Sequence, residues 1–495
     1  MGVGESRGAP GSWVGVVKQT RERELKLDVE PGFRLPRLPG RSLAPRVFVS
    51  RYYDTPDHRL ARHGVTLRCR TEKRRPLWQV KLPRRAARLE LELPAASSSL
   101  PDELRRLLRV YTREANLVPI ATLRTRRTGI LVRERGRPVA EVVLDSVAVL
   151  DGRKVKRRFR EVEVELVGAG DEQTLERLGA LLRSSGATRS EEAPKVFRAL
   201  GLNFSVDIKP PDRAALPLDR VLAVMGSHLE AIRSHDPGTR LGDDPEELHQ
   251  MRVATRRLRA VLRAARPMFG PRPVKDLRKE LAWLGTTLGG RRDLDVMHGH
   301  LRDEVATLDS QDRGAGRGLL RRLETARVRA REDLLTALDS SRYFTLLDTI
   351  EATIAQPPVV SSDVSLVDVA AREWRKLRKA VKALPEAPAD ADLHQVRIKA
   401  KRVRYAAELA APEAGHPAER FVDRVKKLQD VLGEHQDAVV AEACLRDLAR
   451  DAPGPRTGFV AGLLVERQHS RRQAARAAFA ECWPEVQRRG RKAFS

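Results

Sequence analysis

Three charged residues near the N-terminus have a spacing that suits phosphate chemistry. Glu22, Glu24 and Lys26 stand at i, i+2 and i+4, so on a β-strand their side chains share one face, while Leu25 and Leu27 occupy the other. Carboxylate oxygens are the ligands that Mg²⁺ prefers, and a lysine ammonium group neutralises phosphate oxygens. A charged strand face is more often simply solvated, so the motif by itself leaves both interpretations open.

The same alternation of apolar and charged residues recurs later in the first 200 residues. Its charged members are Arg68, Arg70, Lys81, Glu141, Asp145, Glu161, Glu163 and Glu165. Strands of this kind can close into a barrel with a charged lumen, where carboxylates cluster at one place and basic groups at another. Carboxylates, a divalent metal and cations that hold phosphates together describe a metal-dependent phosphoryl-transfer site.

Composition limits the class of protein that could carry such a site. The 495 residues have a formal net charge of +27, and 41% of them are hydrophobic, which excludes a wholly disordered chain. No run approaches 18 consecutive apolar residues, so we expect no membrane span. The three cysteines, Cys69, Cys444 and Cys482, match no metal-ligand spacing and predict a reducing, cytoplasmic location.

The positive charge predicts a polyanionic partner. Residues 1–200 hold 42 basic and 25 acidic side chains, so most of the excess lies in the first part of the chain. Aromatic residues are only 4% of the chain and rarely stand among the basic clusters, so base-stacking platforms for nucleic acid are not expected. A polyphosphate, which has no bases, fits this composition better than nucleic acid does.

Periodicity predicts an antiparallel sheet in the N-terminal part. Residues 1–17 are rich in Gly and Ser without periodicity, and we expect a disordered extension there. Residues 18–204 alternate with period two, with helical interruptions near Pro101–Ala115 and Glu172–Ser185. Many alternating strands with few crossover helices are typical of antiparallel pairing.

The C-terminal part is predicted to be helical and internally repeated. Residues 205–217 contain three prolines and predict a linker, and the helical region follows over 218–490. Within it, LHQMRVATRRLRA aligns with LHQVRIKAKRVRY 145 residues later, and LAWLGTTLGGRRDLDV aligns with VKKLQDVLGEHQDAVV. The order predicts a duplicated unit, with repeats over about 218–356 and 364–490.

Each repeat carries one histidine and three cations on one helix face. The two sets are His249, Arg252, Arg256 and Arg259, and His394, Arg397, Lys401 and Arg404. At about 100° per residue, each set lies within roughly 80° of arc. A solvated basic face is the simpler interpretation of either helix. Cations without intervening acids repel one another in both copies, however, which favours a polyanion that binds across them.

Three acidic residues stand in the second repeated motif. Asp293, Asp295 and Asp437 follow the Leu-Gly pairs of that motif. They do not form the carboxylate cluster that a metal requires, so we expect no catalysis in the helical part. We interpret them as helix-cap or ion-pair residues.

The N-terminal part resembles the CYTH domain of the triphosphate tunnel metalloenzymes. E-R-E-L-K at Glu22–Lys26 matches the ExExK signature of that family, and TLRCR, WQVKLP, RTRRTG, VLDS, REVEVEL and APKVFRAL follow in its order over residues 18–204. The resemblance implies an eight-stranded antiparallel β-barrel tunnel that hydrolyses a triphosphate with Mg²⁺ or Mn²⁺.

The resemblance also implies a role for each matching residue. The catalytic residues would be Lys26, Glu22 and Glu24. The metal ligands or their supports would be Glu22, Glu24, Asp145, Glu161 and Glu163. The triphosphate would be held by Lys26, Arg68, Arg70, Lys81, Arg127 and Lys195. Arg126 is the alternative to Arg127, because the RTRR run permits a slip of one residue.

The C-terminal part resembles the CHAD domain over about residues 216–490. The duplicated H-x-x-R-x-x-x-[RK] pattern and the later L-G-x-x-x-D match the two motifs of that family. The resemblance implies two four-helix bundles related by pseudo-twofold symmetry, with a basic surface that binds inorganic polyphosphate. The two histidine-and-cation sets would bind that polymer, and some members of the family localise to polyphosphate granules.

The sequence therefore predicts an α+β multidomain protein: a tunnel followed by an all-α domain. The expected function is hydrolysis of inorganic triphosphate, or of a related triphosphate, by a protein that also binds polyphosphate. Three alternatives remain: a non-catalytic polyphosphate-binding protein of granules, an RNA-binding protein, and a nucleotide cyclase. The intact ExExK motif disfavours the first of these, and the low aromatic content disfavours the second.

Overall fold

The structure is a computed structural model with two compact units, residues 1–207 and 208–495. It describes residues 18–22, 24–83, 88–94, 99–189, 194–202, 216–361, 363–450 and 454–494. The expected N-terminal extension, 1–17, and most of the expected linker lie outside the described residues. The end of that linker is helical, because Pro217 begins the first helix of the second unit.

The first unit contains one antiparallel sheet. Its strands are β1 (Lys18–Glu22), β2 (Glu24–Val29), β3 (Gly40–Asp54), β4 (Thr66–Glu72), β5 (Arg75–Pro83), β6 (Arg88–Pro94), β7 (Val118–Glu134), β8 (Arg137–Asp151), β9 (Lys154–Leu166) and β10 (Thr188–Arg189). Their spatial order is β1-β6-β5-β4-β3-β7-β8-β9-β2-β10.

The sheet closes on itself through its N-terminal segment. β1 pairs with β6 at one end of the strand order, and β2 pairs with β9 near the other end. Only residue 23 separates β1 from β2 in the chain, so they are two halves of one closing strand. With the two-residue β10 set aside, eight strands enclose the tunnel. The predicted eight-stranded antiparallel fold is confirmed.

Alternation along the strands separates a charged interior from an apolar exterior. Leu27, Val162 and Val164 are fully buried and pack with Leu178 and Leu182 of a helix that covers this side of the sheet. The helices among the described residues of this unit are α1 (Arg59–Arg62), α2 (Asp102–Thr112), α3 (Glu172–Ser184) and α4 (Lys195–Leu200). α2 and α3 confirm the two predicted helical interruptions.

The short helix α4 packs into an apolar cluster within the same sheet. Val196 and Phe197 contact inward-facing residues that include Leu123, Val147 and Phe159. This packing fixes the start of α4, so Lys195, its first residue, is held against the charged interior. Apolar contacts at one end of the tunnel thus position a cation in its middle.

The second unit is mostly helical. Its helices among the described residues are α5 (Pro217–Leu241), α6 (Pro245–Ala264), α7 (Arg266–Phe269), α8 (Pro271–Ala306), α9 (Ser310–Leu338), α10 (Ser341–Ala355), α11 (Leu366–Lys382), α12 (Asp390–Arg450) and α13 (Pro455–Phe494). α12 is two helices joined at Gly415, whose φ of 67° and ψ of −160° are not helical. None of the described helices has both the length and the apolar character needed to cross a membrane.

The two sequence repeats use the same order of long helices. α5, α6, α8 and α9 form the first set, and α11, the two halves of α12, and α13 form the second. The sets are not independent, because Leu301 and Leu323 of the first share a core with Leu445 and Leu464 of the second. The two related halves of the helical domain are therefore joined by a shared apolar core.

Candidate functional site

Three buried carboxylates meet on adjacent strands inside the tunnel. Asp145 of β8 stands opposite Glu161 of β9, and Glu163 follows two residues later on the same face. The exposed fractions of these residues are 0%, 3% and 9%. One carboxylate oxygen from each lies within 4.8 Å of the others. Like charges at this distance require cations between them.

Lys195 supplies one of those cations. Its Nζ lies 3.0 Å from Asp145 Oδ2, 2.5 Å from Glu161 Oε1 and 2.7 Å from Glu163 Oε1. Burial opposes the charged form, but the three carboxylates outweigh it and raise the pKa of Lys195 well above its usual value. The lysine at the start of α4 is therefore a permanent ammonium ion among the carboxylates.

Glu163 is held ionised by the surrounding cations. Burial alone would raise the pKa of Glu163, yet Lys195 and Lys26 lower it well below its ordinary value. The effect of burial dominates at Glu161, whose pKa is raised. Lys26 Nζ lies 3.5 Å from Glu163 Oε1 and 3.2 Å from Glu24 Oε1, so the closing strand contributes both a cation and a carboxylate.

Arg127 binds the carboxylates from the other side. Its Nε and Nη2 donate to the two oxygens of Asp145 at 2.8 and 2.7 Å, and Nη2 also donates to Glu163 Oε2 at 2.6 Å. The strand register explains the contact, because Arg127 stands directly opposite Asp145. Arg126 pairs with Ser146 and is exposed on the outer face. The structure thus brings Arg127, and not Arg126, into the tunnel.

The carboxylates fit a hard divalent cation. Three buried carboxylate oxygens in one place form the donor set that Mg²⁺ and Mn²⁺ use. Lys195 competes for the same oxygens. Glu24 lies beside Lys26 and outside this three-carboxylate cluster. The side chain of Glu22, at the end of β1, is outside the described residues.

Cations on β4 and β5 face the same space from the opposite wall. Arg68 Nε donates to Gln79 Oε1 at 2.8 Å, and its Nη1 donates to the Tyr52 hydroxyl at 3.1 Å. Arg70 Nη2 donates to Glu72 Oε2 at 2.9 Å, and its guanidinium lies over the Phe48 ring. Burial opposes ionisation of Arg68, yet the Tyr52 hydroxyl and Glu90 raise its pKa.

One cavity of about 230 Å³ lies between these walls. Its basic lining residues are Lys26, Arg46, Arg68, Arg70, Lys81, Arg127 and Lys195. Its acidic lining residues are Glu24, Glu90, Glu92, Glu141, Glu163 and Glu165. Lys81 Nζ lies 3.7 Å from Glu90 Oε1, and Asp145 and Glu161 lie deeper than the lining. A space with both signs of charge suits an anion bound together with a metal.

The helical unit brings cations of both repeats together. Arg252 and Arg256 of α6 face Arg397 and Lys401 of α12, and Arg256 Nε donates to the hydroxyl of Tyr405 on α12 at 3.0 Å. Burial of Lys401 and the neighbouring Arg397, Arg256 and Arg252 lower the pKa of that lysine to about 7. This group of four cations is called the stripe cluster below.

The Leu-Gly motif supports the first arginine of each repeat. A Cβ on Gly289 would lie 3.4 Å from Arg252 Nε, and one on Gly433 would lie 3.6 Å from Arg397 Nη2. Each guanidinium therefore lies against the glycine of the neighbouring helix, at a distance where a Cβ would make an ordinary van der Waals contact. Arg252 Nη2 also lies 3.1 Å from Asp293 Oδ1, which agrees with our interpretation of that residue as an ion-pair partner.

Comparison with known proteins identifies the two parts. A sequence model of the CYTH domain matches residues 20–199, and one of the CHAD domain matches residues 223–446. The uncharacterized protein Rv2226 of Mycobacterium tuberculosis (strain ATCC 25618 / H37Rv) is 31% identical over 448 residues, which cover 84% of this chain and 85% of that protein. The chain belongs to the CYTH–CHAD proteins.

Two solved structures are similar to about half of the chain. PptA from Streptomyces chartreusis is 25% identical and aligns over 55% of this chain and all of its own, with a TM-score of 0.48. The CHAD domain from the plant Ricinus communis is 28% identical over 56% of this chain and 96% of its own, with a TM-score of 0.46.

The last cation of each predicted set in the CHAD domain lies away from the stripe cluster. Arg259 is exposed. With burial and the charge of Arg263, its own charge lowers the pKa values of Arg278 and Arg402. Arg404 is 9% exposed, with its Nε 3.3 Å from Glu408 Oε1 and its guanidinium over the ring of Tyr405. Each is the outermost member of its arc, so its side chain points away from the other cations and contacts different neighbours.

The histidines have separate partners. His394 Nδ1 lies 2.6 Å from Oε1 of Gln436, which belongs to the second half of α12. Burial and the nearby Arg292 lower the pKa of His249. Sequence reasoning missed Arg292 and Tyr405, because the other repeat has a different type of residue at each of these places, Gln436 and Ala260. It also missed Gln79, whose role depends on strand pairing within the CYTH domain.

Proposed function

We propose that the CYTH domain hydrolyses inorganic triphosphate with Mg²⁺ or Mn²⁺, and that the CHAD domain binds inorganic polyphosphate. The observation that carries the first part is the charge distribution of the tunnel. Three buried carboxylates lie on one side of the cavity, and guanidinium groups of β4 lie on the other. A ligand that bridges the two must combine anionic oxygens with a metal cation, as a metal-bound phosphate chain does.

Substrate positioning falls to the cations of the cavity. Arg68, Arg70 and Lys81 would bind the phosphate oxygens, because guanidinium forks and ammonium groups match them in charge and geometry. Asp145, Glu161 and Glu163 would hold the metal, which neutralises charge on the phosphates when bound. Lys26 would stabilise the charge that develops on the phosphoryl group, and Glu24 beside it would orient the attacking water.

The size and lining of the cavity favour an inorganic substrate. Its volume of about 230 Å³ is below the roughly 300–1,000 Å³ typical of pockets for drug-sized ligands. The lining is mostly charged, and the amide of Gln79 is bound to neighbouring side chains. This supports triphosphate over a nucleotide, and hydrolysis over cyclisation of a nucleotide.

The second part of the proposal rests on the stripe cluster. Four cations of two helices face one another. The two nearby carboxylates, Asp293 and Asp437, are too few to neutralise them. A polyanion would supply the missing charge. Association with polyphosphate granules in the cytoplasm follows as part of the same proposal.

Phosphate release from four substrates tests the catalytic part. The purified chain is assayed with triphosphate, ATP, thiamine triphosphate and long-chain polyphosphate, each with and without Mg²⁺ or Mn²⁺. We expect metal-dependent release with a preference for inorganic triphosphate. Absence of turnover with all four would favour a binding protein, and cyclic nucleotide formed from ATP would favour the cyclase.

Two variants connect that activity to the tunnel. Lys26→Ala and Glu24→Gln should each lower kcat by about a hundredfold or more, because each removes a charge that acts on the reacting groups. Both side chains are inward, so the Leu27 side of β2 keeps its packing and the melting temperature should change little. Lys154→Ala and Glu176→Gln, at exposed positions of the same domain, are the matched controls. Full activity of both tunnel variants would refute the assignment.

A further inference from the structure

The outer face of the CYTH domain carries a second basic site that the tunnel does not use. An open groove of about 990 Å³ lies over β7, β8 and β9. Six arginines line it: Arg124, Arg126, Arg157, Arg158, Arg160 and Arg198. Glu30 is the acidic residue among the described lining residues. We call this feature the arginine groove.

Strand register places four of these arginines in two rows, one along β7 (Arg124 and Arg126) and one along β9 (Arg158 and Arg160). Across the sheet, Arg126 is followed by Ser146 and then Arg160, and Arg124 is followed by Ala148 and then Arg158. The small residues of β8 form the floor, and the arginines of β7 and β9 form the sides. With strands about 4.8 Å apart, the two rows stand about 10 Å from each other.

The charge of the groove is largely unneutralised. Arg124, Arg126 and Arg158 are exposed, and no described carboxylate pairs with them. Among the remaining three, Arg198 pairs with Asp28 and lies 4.0 Å from Glu161 Oε2, whereas Arg157 and Arg160 pair with no described carboxylate. Six permanent cations with so little compensation repel one another, which costs free energy that a bound anion would recover.

Backbone contacts hold two of the side chains in place without removing their charge. Arg157 Nη1 donates to the carbonyl oxygen of Arg198 at 3.1 Å, and Arg160 Nη1 donates to that of Glu30 at 3.4 Å. Arg160 Nε is buried and has no hydrogen-bond partner among the described residues. The groove therefore contains fixed cationic donors, as a binding site requires.

The lining indicates what kind of anion fits. Phe159 is 8% exposed and lies under the Arg198 guanidinium, so none of the described lining residues offers an open aromatic face for a nucleic-acid base. The floor offers the single hydroxyl of Ser146 and the methyl group of Ala148, which is too little to read base edges. A narrow chain of phosphates without side groups can lie along β8 between the two rows.

We propose that the arginine groove binds inorganic polyphosphate, so that the CYTH domain holds the polymer on its outer face independently of the tunnel. This inference goes beyond the proposed function, which gives polymer binding to the CHAD domain alone. It does not depend on hydrolysis in the tunnel. It predicts that one chain of this protein has two separate surfaces for the same polyanion.

The test separates the two surfaces within the full-length chain. The background carries Arg252→Glu, Arg256→Glu, Arg397→Glu and Lys401→Glu, which disable the stripe cluster. The groove variant adds Arg124→Gln, Arg126→Gln and Arg158→Gln. The matched control instead adds Arg105→Gln, Arg106→Gln and Arg137→Gln, three exposed arginines of the same domain that do not line the groove. Binding of long-chain polyphosphate is measured by gel shift at several salt concentrations, with melting temperatures to confirm folding.

We expect the background to retain salt-sensitive binding, and the groove variant to lose it while the control does not. In a chain with an intact CHAD domain, the same three substitutions should lower the log–log salt slope by about two, close to 0.7 for each phosphate contact removed. An arginine-selective dicarbonyl reagent should modify Arg124, Arg126 and Arg158 more slowly in the presence of polyphosphate, whereas the control arginines react unchanged.

Three results would overturn the proposal. The first is a background variant that shows no residual binding at low salt. The second is equal loss of binding in the groove and control variants. The third is stronger competition for residual binding by single-stranded RNA or by vesicles of phosphatidylglycerol than by polyphosphate, which would assign the groove to a nucleic acid or to a lipid surface.

Discussion

Lys195 Nζ lies 2.5 Å from Glu161 Oε1, at the point where the three buried carboxylates of the tunnel meet. An ammonium ion therefore already occupies the space between oxygens that suit a divalent metal. On binding of metal and substrate, we expect this side chain to leave the carboxylates and to contact phosphate oxygens instead. Lys195 then has opposite effects on the two ligands.

Lys195→Met should separate those effects. Without the ammonium group, the substrate-free protein should bind Mn²⁺ about tenfold more tightly or better, because a like charge close to the metal is removed. Phosphate release from triphosphate should fall strongly, since a phosphate-binding cation is lost. Mn²⁺ titration followed by electron paramagnetic resonance measures the first effect, with Lys154→Met as the control. Weaker Mn²⁺ binding would contradict this role of Lys195.

The stripe cluster should dominate polyphosphate binding. Arg252→Glu, Arg256→Glu, Arg397→Glu and Lys401→Glu together reverse four charges, so affinity in a gel shift should fall by about a thousandfold at low salt. Reversal of four exposed charges elsewhere in the CHAD domain, with Arg317→Glu, Arg321→Glu, Arg329→Glu and Lys275→Glu, is the matched control. Equal affinity of the two folded variants would remove the stripe cluster from the proposal.

Polyphosphate affinity should depend on pH through Lys401. Its pKa of about 7 in the free protein results from burial and from Arg397, Arg256 and Arg252, and a bound polyanion would raise it. Binding then takes up a proton above pH 7. Affinity should be constant below that pH and should fall by up to about tenfold per unit above it, until the pKa of the complex is reached.

Lys401→Arg provides the control for this pH dependence. Arginine keeps its charge throughout the range, so the slope between pH 7 and 9 should disappear while binding persists. Asp437 also faces the cluster, and burial raises its pKa from a usual value near 4. Dissociation constants measured at four pH values decide the matter. A slope that remains in the arginine variant would show that another group titrates.

A close contact between α11 and α13 predicts a difference between two glycines of one helix. A Cβ at Gly490 would lie 2.5 Å from Trp374 Cε2, so Gly490→Ala should destabilise the CHAD domain by about 1–3 kcal/mol. Gly462 lies in the same helix with nothing within 4 Å of such a Cβ, and Gly462→Ala should stabilise it by about 0.5–1 kcal/mol. Urea unfolding measures both. Equal effects of the two substitutions would contradict the contact.

The predictable part of the CYTH domain follows from strand periodicity. Alternation is a property of the backbone, so Lys26 and Glu163 could be assigned to one face from sequence alone. The choice between Arg126 and Arg127 could not, because it depends on register across β7 and β8 and not on the strand itself. Irregular pairing between Leu43 and Arg46 shifts the register of β3 against β7, and no local sequence pattern predicts this shift.

The helical part shows a similar limit. The repeat predicted that Arg252 and Arg397 have equivalent places, and in the structure each lies against the glycine of a Leu-Gly motif. The positions of Arg259 and Arg404 on their helices did not predict which residues their side chains contact. The partner of Arg404 is Glu408 at i+4 on the same helix, a pairing visible in the sequence. The arginine groove could not be predicted from the sequence, because it combines residues of three strands whose pairing only the structure shows.

The sheet closes late in folding, so the charged lining of the tunnel is also completed late. Lys18 pairs with Glu92 and Glu24 pairs with Glu165, so the segment synthesised first must wait for strands synthesised much later. Until it docks, β6 and β9 present unpaired edges on which another nascent chain could add a strand. Because Lys26 lies on the same segment, the step that pairs these aggregation-prone edges also completes the charged lining of the tunnel. A chain in which this segment has not docked is therefore prone to aggregation and lacks a complete tunnel.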